Sequence, residues 1–148
     1  METDDAIRSI SESFDGIAIG VRRSVRRAAA ELDADVQPAA WAVFREVVGT
    51  GRVQASTIVS TLGMDKSAVS RHLKELREHD LVAAERDHTD ARVIWLSPTP
   101  VALERFAHIV ELQQGRLRTV FTGWPERDVE RFAQLLARFS RTVSAPIG

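Results

Sequence analysis

Within the stretch MDKSAVSRHLKEL, residues 64–76, Lys66, Ser67, Ser70, Arg71 and Lys74 recur at spacings that put them on one side of a helix. Val69, Leu73 and Leu76 fall on the opposite side and supply an anchor to a core. Two hydroxyls, one guanidinium and two ammonium groups make a cationic set of hydrogen-bond donors. In the major groove of DNA an Arg forks onto guanine O6 and N7, while Ser and Lys reach base edges and phosphate oxygens. The competing use is a solvated surface, with Arg71 pairing with Glu75 and Lys74 with Glu78 at i,i+4. Charge order favours the groove. Lys66 and the serines occupy the first half and Glu75, Glu78 and Asp80 the end, and it is the N-terminal part of a recognition helix that enters the groove.

A second basic projection follows. Arg86 and Arg92 flank a turn that carries Asp87 and Asp90. Two guanidiniums on a narrow tip suit the minor groove, with an Asp holding an Arg in place. Of the four histidines, His72 sits beside the cationic face as a base-edge or packing residue, and His79 and His88 with Asp87 or Asp90 are the only imaginable metal set. No compact ligand spacing such as HExxH supports that set, so no metal or cofactor is expected. Neither a glycine-rich phosphate loop nor a Ser-His-Asp order is present, and no enzymatic activity is expected.

The elements that must position these side chains are mostly helical. Ile7, Ile10, Phe14, Ile17, Val21, Val25, Ala28 and Leu32 step by three and four residues, the pattern of one long amphipathic helix. At 1.5 Å per residue it runs about 40 Å, the width of a whole domain, so a partner subunit is the simplest cover for its stripe. Gly16 and Gly20 mark either a tolerated kink or a close crossing. Pro38 opens a second helix through Trp41, Phe44 and Val47, which Gly49 and Gly51 stop. A short third helix, a break at Gly63 and a fourth helix capped by Asp65 form a helix-turn-helix. LVAAER and RVIWLS, separated by DHTDA, read as a β-hairpin. Two further helices follow, the second opened by Pro125.

Composition bounds the answer. The chain has 148 residues, 44% hydrophobic and 28% charged, which suits one folded domain. Net charge is −1, so attraction for a polyanion must come from the placement of charge and not its total. The absence of cysteine removes disulfides and thiol switching. An acidic start, METDDAIRSI, and no apolar run of about 20 residues point to a cytoplasmic protein with no membrane contact.

Residues 55–97, ASTIVSTLGMDKSAVSRHLKELREHDLVAAERDHTDARVIWLS, resemble the winged helix-turn-helix of the MarR family of bacterial transcriptional regulators, and the flanking helices match that family's layout. The resemblance implies a mainly α fold with a small β-hairpin, a winged helix-turn-helix flanked by N- and C-terminal dimerisation helices. Residues 1–148 are then a single MarR-like domain, with about 1–34 and 100–148 in the dimer and about 35–98 in the DNA-binding region. It implies a homodimer whose two wings and recognition helices read a pseudo-palindromic double-stranded DNA operator. The DNA-binding set is Lys66, Ser67, Ser70, Arg71, Lys74, Arg86 and Arg92, with Asp87 and Asp90 supporting the wing. Release by a small phenolic or amphipathic effector is also implied, and Phe14, Trp41 and Phe44 are the candidate pocket. The chain departs from the family at Ala91, where an Arg is common, and at Pro100, near a usual Gly. The expected function is a sequence-specific, ligand-responsive homodimeric repressor. A winged helix serving protein contacts alone is the alternative, separable by the salt dependence of DNA binding.

Overall fold

The computed structural model describes residues 3–145. Two compact units divide between Val110 and Glu111. In the first, α1 (Thr3–Leu32) opens with Asp4 and Asp5 in its first turn, where carboxylates complement the helix dipole. Only Ala28, Ala29 and Leu32 of α1 are buried, whereas Ile7, Ile10, Ile17 and Val21 are each more than half exposed. The helix runs unbroken through Gly16 and Gly20, and a Cβ at either would meet nothing within 4 Å, so neither glycine marks a close crossing within the chain.

Helix α2 (Ala40–Thr50) buries Trp41, Val43, Phe44 and Val47 and stops at Gly51, whose φ of 77° an L-residue rarely adopts. Helix α3 (Ala55–Leu62) ends on Gly63 in the left-handed region. Helix α4 (Lys66–Glu78) follows. Asp65 has the extended backbone of a capping residue, yet its side chain makes no cap hydrogen bond; only its carbonyl engages the helix, accepting Val69 N–H at 3.0 Å. The expected side-chain cap is therefore corrected.

A turn through Asp80 (φ 56°) leads into β1 (Val82–Arg86), which pairs antiparallel with β2 (Ile94–Pro98), Val82 opposite Pro98 and Arg86 opposite Ile94. Val53 and Leu96 exchange backbone hydrogen bonds of 2.9 and 2.8 Å, which stitch the loop after α2 to the wing. Thr99 closes the wing. Its hydroxyl donates to Asp80 O at 2.7 Å and accepts from Ala102 N–H at 3.2 Å, and its N–H donates to Leu81 O. Helix α5 (Pro100–Val120) thus begins with Pro100 at its first position, where a missing N–H costs nothing and a fixed φ suits the helix. Pro100 serves as a helix opener.

Phe44, Ile58, Leu76, Leu81 and Ile109 are fully buried and hold α2, α3, α4, the wing base and α5 on one core. Trp41, Phe44 and Phe106 stack at its centre with centroids 5.8–6.0 Å apart. In the second unit Gly123 turns the chain, and α6 (Glu126–Ser144) starts after Pro125. Phe121, Trp124 and Phe132 cluster there at 5.2–6.1 Å, while Leu135, Leu136 and Val143 along α6 are about half exposed or more.

Candidate nucleic-acid interface

Helix α4 is divided by side. Val69, Leu73 and Leu76 are buried, and Lys66, Ser67, Ser70, Arg71 and Lys74 are exposed. The side chains of Lys66, Ser67, Ser70 and Arg71 have no hydrogen-bond or ion-pair partner among the described residues, so their donors are free for a ligand. Glu75 does not pair with Arg71. Its Oε1 accepts Gln37 N–H at 2.9 Å and its Oε2 lies 3.4 Å from His72 Nδ1, on the inner side of the helix. Lys74 does meet Glu78, at 3.7 Å, with both side chains well exposed; such a pair is worth about 0–1 kcal/mol and yields readily to a phosphate. His72, only 12% exposed, is a packing residue. A groove of about 690 Å³ lies between α3, α4 and β2, with Lys66, Lys74 and Arg77 on its wall and Val69, Leu73 and Leu96 at its base.

The wing tip is a structured turn. Asp87 Oδ2 accepts the Thr89 hydroxyl at 2.6 Å, Thr89 N–H at 3.0 Å and Asp90 N–H at 3.1 Å, and its Oδ1 accepts Trp95 Nε1–H at 2.9 Å. These bonds, the Thr89 hydroxyl and Trp95 foremost, hold the carboxyl far below the usual carboxylate range. Asp90 grips Arg92, accepting from its Nε at 3.1 Å, Nη2 at 3.2 Å and backbone N–H at 3.0 Å, which lowers the Asp90 pKa. Arg92 still projects, 91% exposed, as an oriented cation. Arg86 rests its Nη1 on Ala91 O at 3.4 Å. Of the two acids, then, Asp90 holds an Arg and Asp87 holds the turn.

The family model for the MarR family matches residues 34–93, from the loop after α1 to the far side of the wing turn. The chain carries a MarR-family winged helix-turn-helix. In general terms it is a DNA-binding transcriptional regulator. The chain is similar in fold to a MarR family protein from Bacillus stearothermophilus, at 12% identity over 98% of this chain and 100% of that one, with a TM-score of 0.84. RV1404 from Mycobacterium tuberculosis matches at 14% identity over 98% and 97%, TM-score 0.80. The YusO protein from Bacillus subtilis matches at 19% over 98% and 100%, TM-score 0.73. At these identities the likeness is one of fold. No curated protein matches the chain in sequence.

Within the MarR-family segment, Trp41 and Phe44 are closed into the core against Phe106, with 3% and 0% exposure, whereas Phe14 is 43% exposed. Phe14 lies fourteen residues before Ala28, about 20 Å back along α1, so the single chain does not gather the three into one cavity. His79 is 3.3 Å from Asp33 and His88 3.5 Å from Glu85, and no group of three metal-ligating side chains comes together among the described residues. Nor is any described helix long and apolar enough to cross a membrane. Two contacts have no local signature in the sequence. Arg52 stacks its guanidinium 4.4 Å above the Trp95 ring, tying the loop after α2 to the wing, and Asp33 meets both His79 and Arg105.

Proposed function

We propose that the chain is a sequence-specific double-stranded DNA-binding repressor that works as a homodimer and releases its operator when a small amphipathic or phenolic effector binds. The observation that carries the reading is the unengaged outer side of α4: four exposed donor side chains with no partner among the described residues, on a helix whose other side is anchored. Lys66, Ser67, Ser70, Arg71 and Lys74 then lie in the major groove, and Arg92, with Arg86, reaches the minor groove. Asp90 orients Arg92 and Asp87 shapes the turn.

A homodimer is supported by the half-exposed apolar stripe of α1 and, in the second unit, by the apolar residues along α6. Two copies of α4 related by a twofold axis match a pseudo-palindrome with half-sites about one helical turn apart. The effector site is proposed at the dimer, where Phe14, which is exposed in the single chain, would complete a pocket beside the Trp41 and Phe44 end of the core. The test is selection of bound duplexes from a random pool by the purified protein, with its mass measured in solution. Enrichment of an inverted repeat by a dimer is expected. A monomer, or binding with no sequence preference, overturns the reading.

A further inference from the structure

The loop between α1 and α2 is fastened to the rear of α4 by two carboxylates. Asp33 Oδ2 lies 3.3 Å from His79 Nδ1, at the C-cap of α4, and 3.4 Å from Arg105 Nη1 on α5. Arg105 Nη1 also donates to Leu32 O at 2.7 Å, satisfying a carbonyl at the open end of α1. Asp33 Oδ1 accepts Asp35 N–H at 3.0 Å, so the carboxylate is held on both oxygens. One turn earlier on α4, Glu75 takes Gln37 N–H. Asp33 is 22% exposed and Glu75 20%, partly shielded from water. The Asp33 carboxyl is lowered, the Asp35 N–H first among the causes, which keeps it ionised for both partners.

The angle between α1 and α4 is set by directional contacts as well as by apolar ones. Ala28, Ala29 and Leu32 bury α1 against the core, but burial is non-directional. Hydrogen bonds to fixed donors are directional, and bonds to charged groups are the stronger kind. The angle matters because α1 is a lever. It has 30 residues, so a tilt of about 10° about Asp33 moves its far end by roughly 8 Å, more than two base-pair steps.

We propose that Asp33, seconded by Glu75, is a positioning residue for DNA reading: it fixes the angle between the dimer helix α1 and the recognition helix α4, and so sets the half-site spacing the dimer accepts. The proposal rests on the reading of α4 as the groove helix and of α1 as a dimer helix.

The test uses the full chain and duplexes carrying the selected half-sites at the selected spacing and at one or two base pairs more or less, together with a duplex holding a single half-site. The unmodified protein should prefer its own spacing roughly tenfold over a two-base-pair change. In Asp33→Ala that preference should shrink to about threefold or less while affinity for the single half-site is kept. Asp33→Glu should restore part of it. If Asp33→Ala does not fold, His79→Ala removes the α4 end of the tie and leaves the Asp35 and Arg105 bonds; it should flatten the spacing profile in the same way. An unchanged profile with half-site binding retained overturns the positioning role alone. Failure of the unmodified protein to bind any duplex overturns the functional reading, and this role with it.

Discussion

Replacing Arg92 by Ala should flatten the response of DNA affinity to salt. Arg92 is 91% exposed and oriented by Asp90, so it can neutralise a phosphate without rearrangement. Each neutralised phosphate contributes about 0.9 to the slope of log affinity against log salt. A dimer that loses two such contacts should therefore flatten by about 1.8. Between about 50 and 200 mM salt, a fourfold range, that difference amounts to about twelvefold in affinity, or roughly 1.5 kcal/mol. Fluorescence anisotropy of a labelled operator duplex, titrated at four salt concentrations with both proteins, reads the two slopes directly. Parallel slopes would refute the assignment of Arg92 to phosphate or minor-groove contact, whatever the size of the affinity loss.

Phe44→Ala should lower the stability of the folded chain by about 3–5 kcal/mol, because the ring is fully buried between Trp41 and Phe106; denaturant unfolding followed by circular dichroism checks it. Acid should loosen the wing turn and the Asp33 tie behind α4. The Asp87, Asp90 and Asp33 carboxyls all lie below their ordinary value of 3.8 in the folded chain, so their stabilising share is fully present above that value and is lost as pH falls from it toward the lowered values. Asp87→Asn should make the thermal midpoint fall less steeply with acid below pH 4 than in the unmodified protein, and an identical fall would count against the role given to Asp87.

What could be read from the sequence was local. The stripe of α1, the stops at Gly51 and Gly63 and the hairpin between Arg86 and Ile94 depend on neighbours a few residues away, and periodicity and turn chemistry expose them. The pairing of Asp90 with Arg92 has the same character, at a separation of two residues. Glu75 was illegible for the opposite reason: the i,i+4 pattern offers Arg71, whereas its partner is a backbone N–H 38 residues away. Arg52 over Trp95 and Asp33 between His79 and Arg105 likewise exist only once the chain is folded. Asp65 is the local misreading. A capping residue type stands at a capping position, but its carbonyl makes the bond and its carboxylate does not. Trp41 and Phe44 illustrate a different limit, since an aromatic pair at helical spacing is the same pattern whether it lines a cavity or fills a core, and here Phe106 from α5 fills the space.

Arg71 carries an exposed guanidinium that no other described residue engages. The most direct measurement is the base preference of Arg71→Ala at each operator position, set beside that of the unmodified protein on the same duplex pool. Loss of about 1–3 kcal/mol of discrimination at one guanine in each half-site, with other positions kept, is the predicted result. An unaltered preference at every position would contradict the placing of the outer side of α4 in the groove.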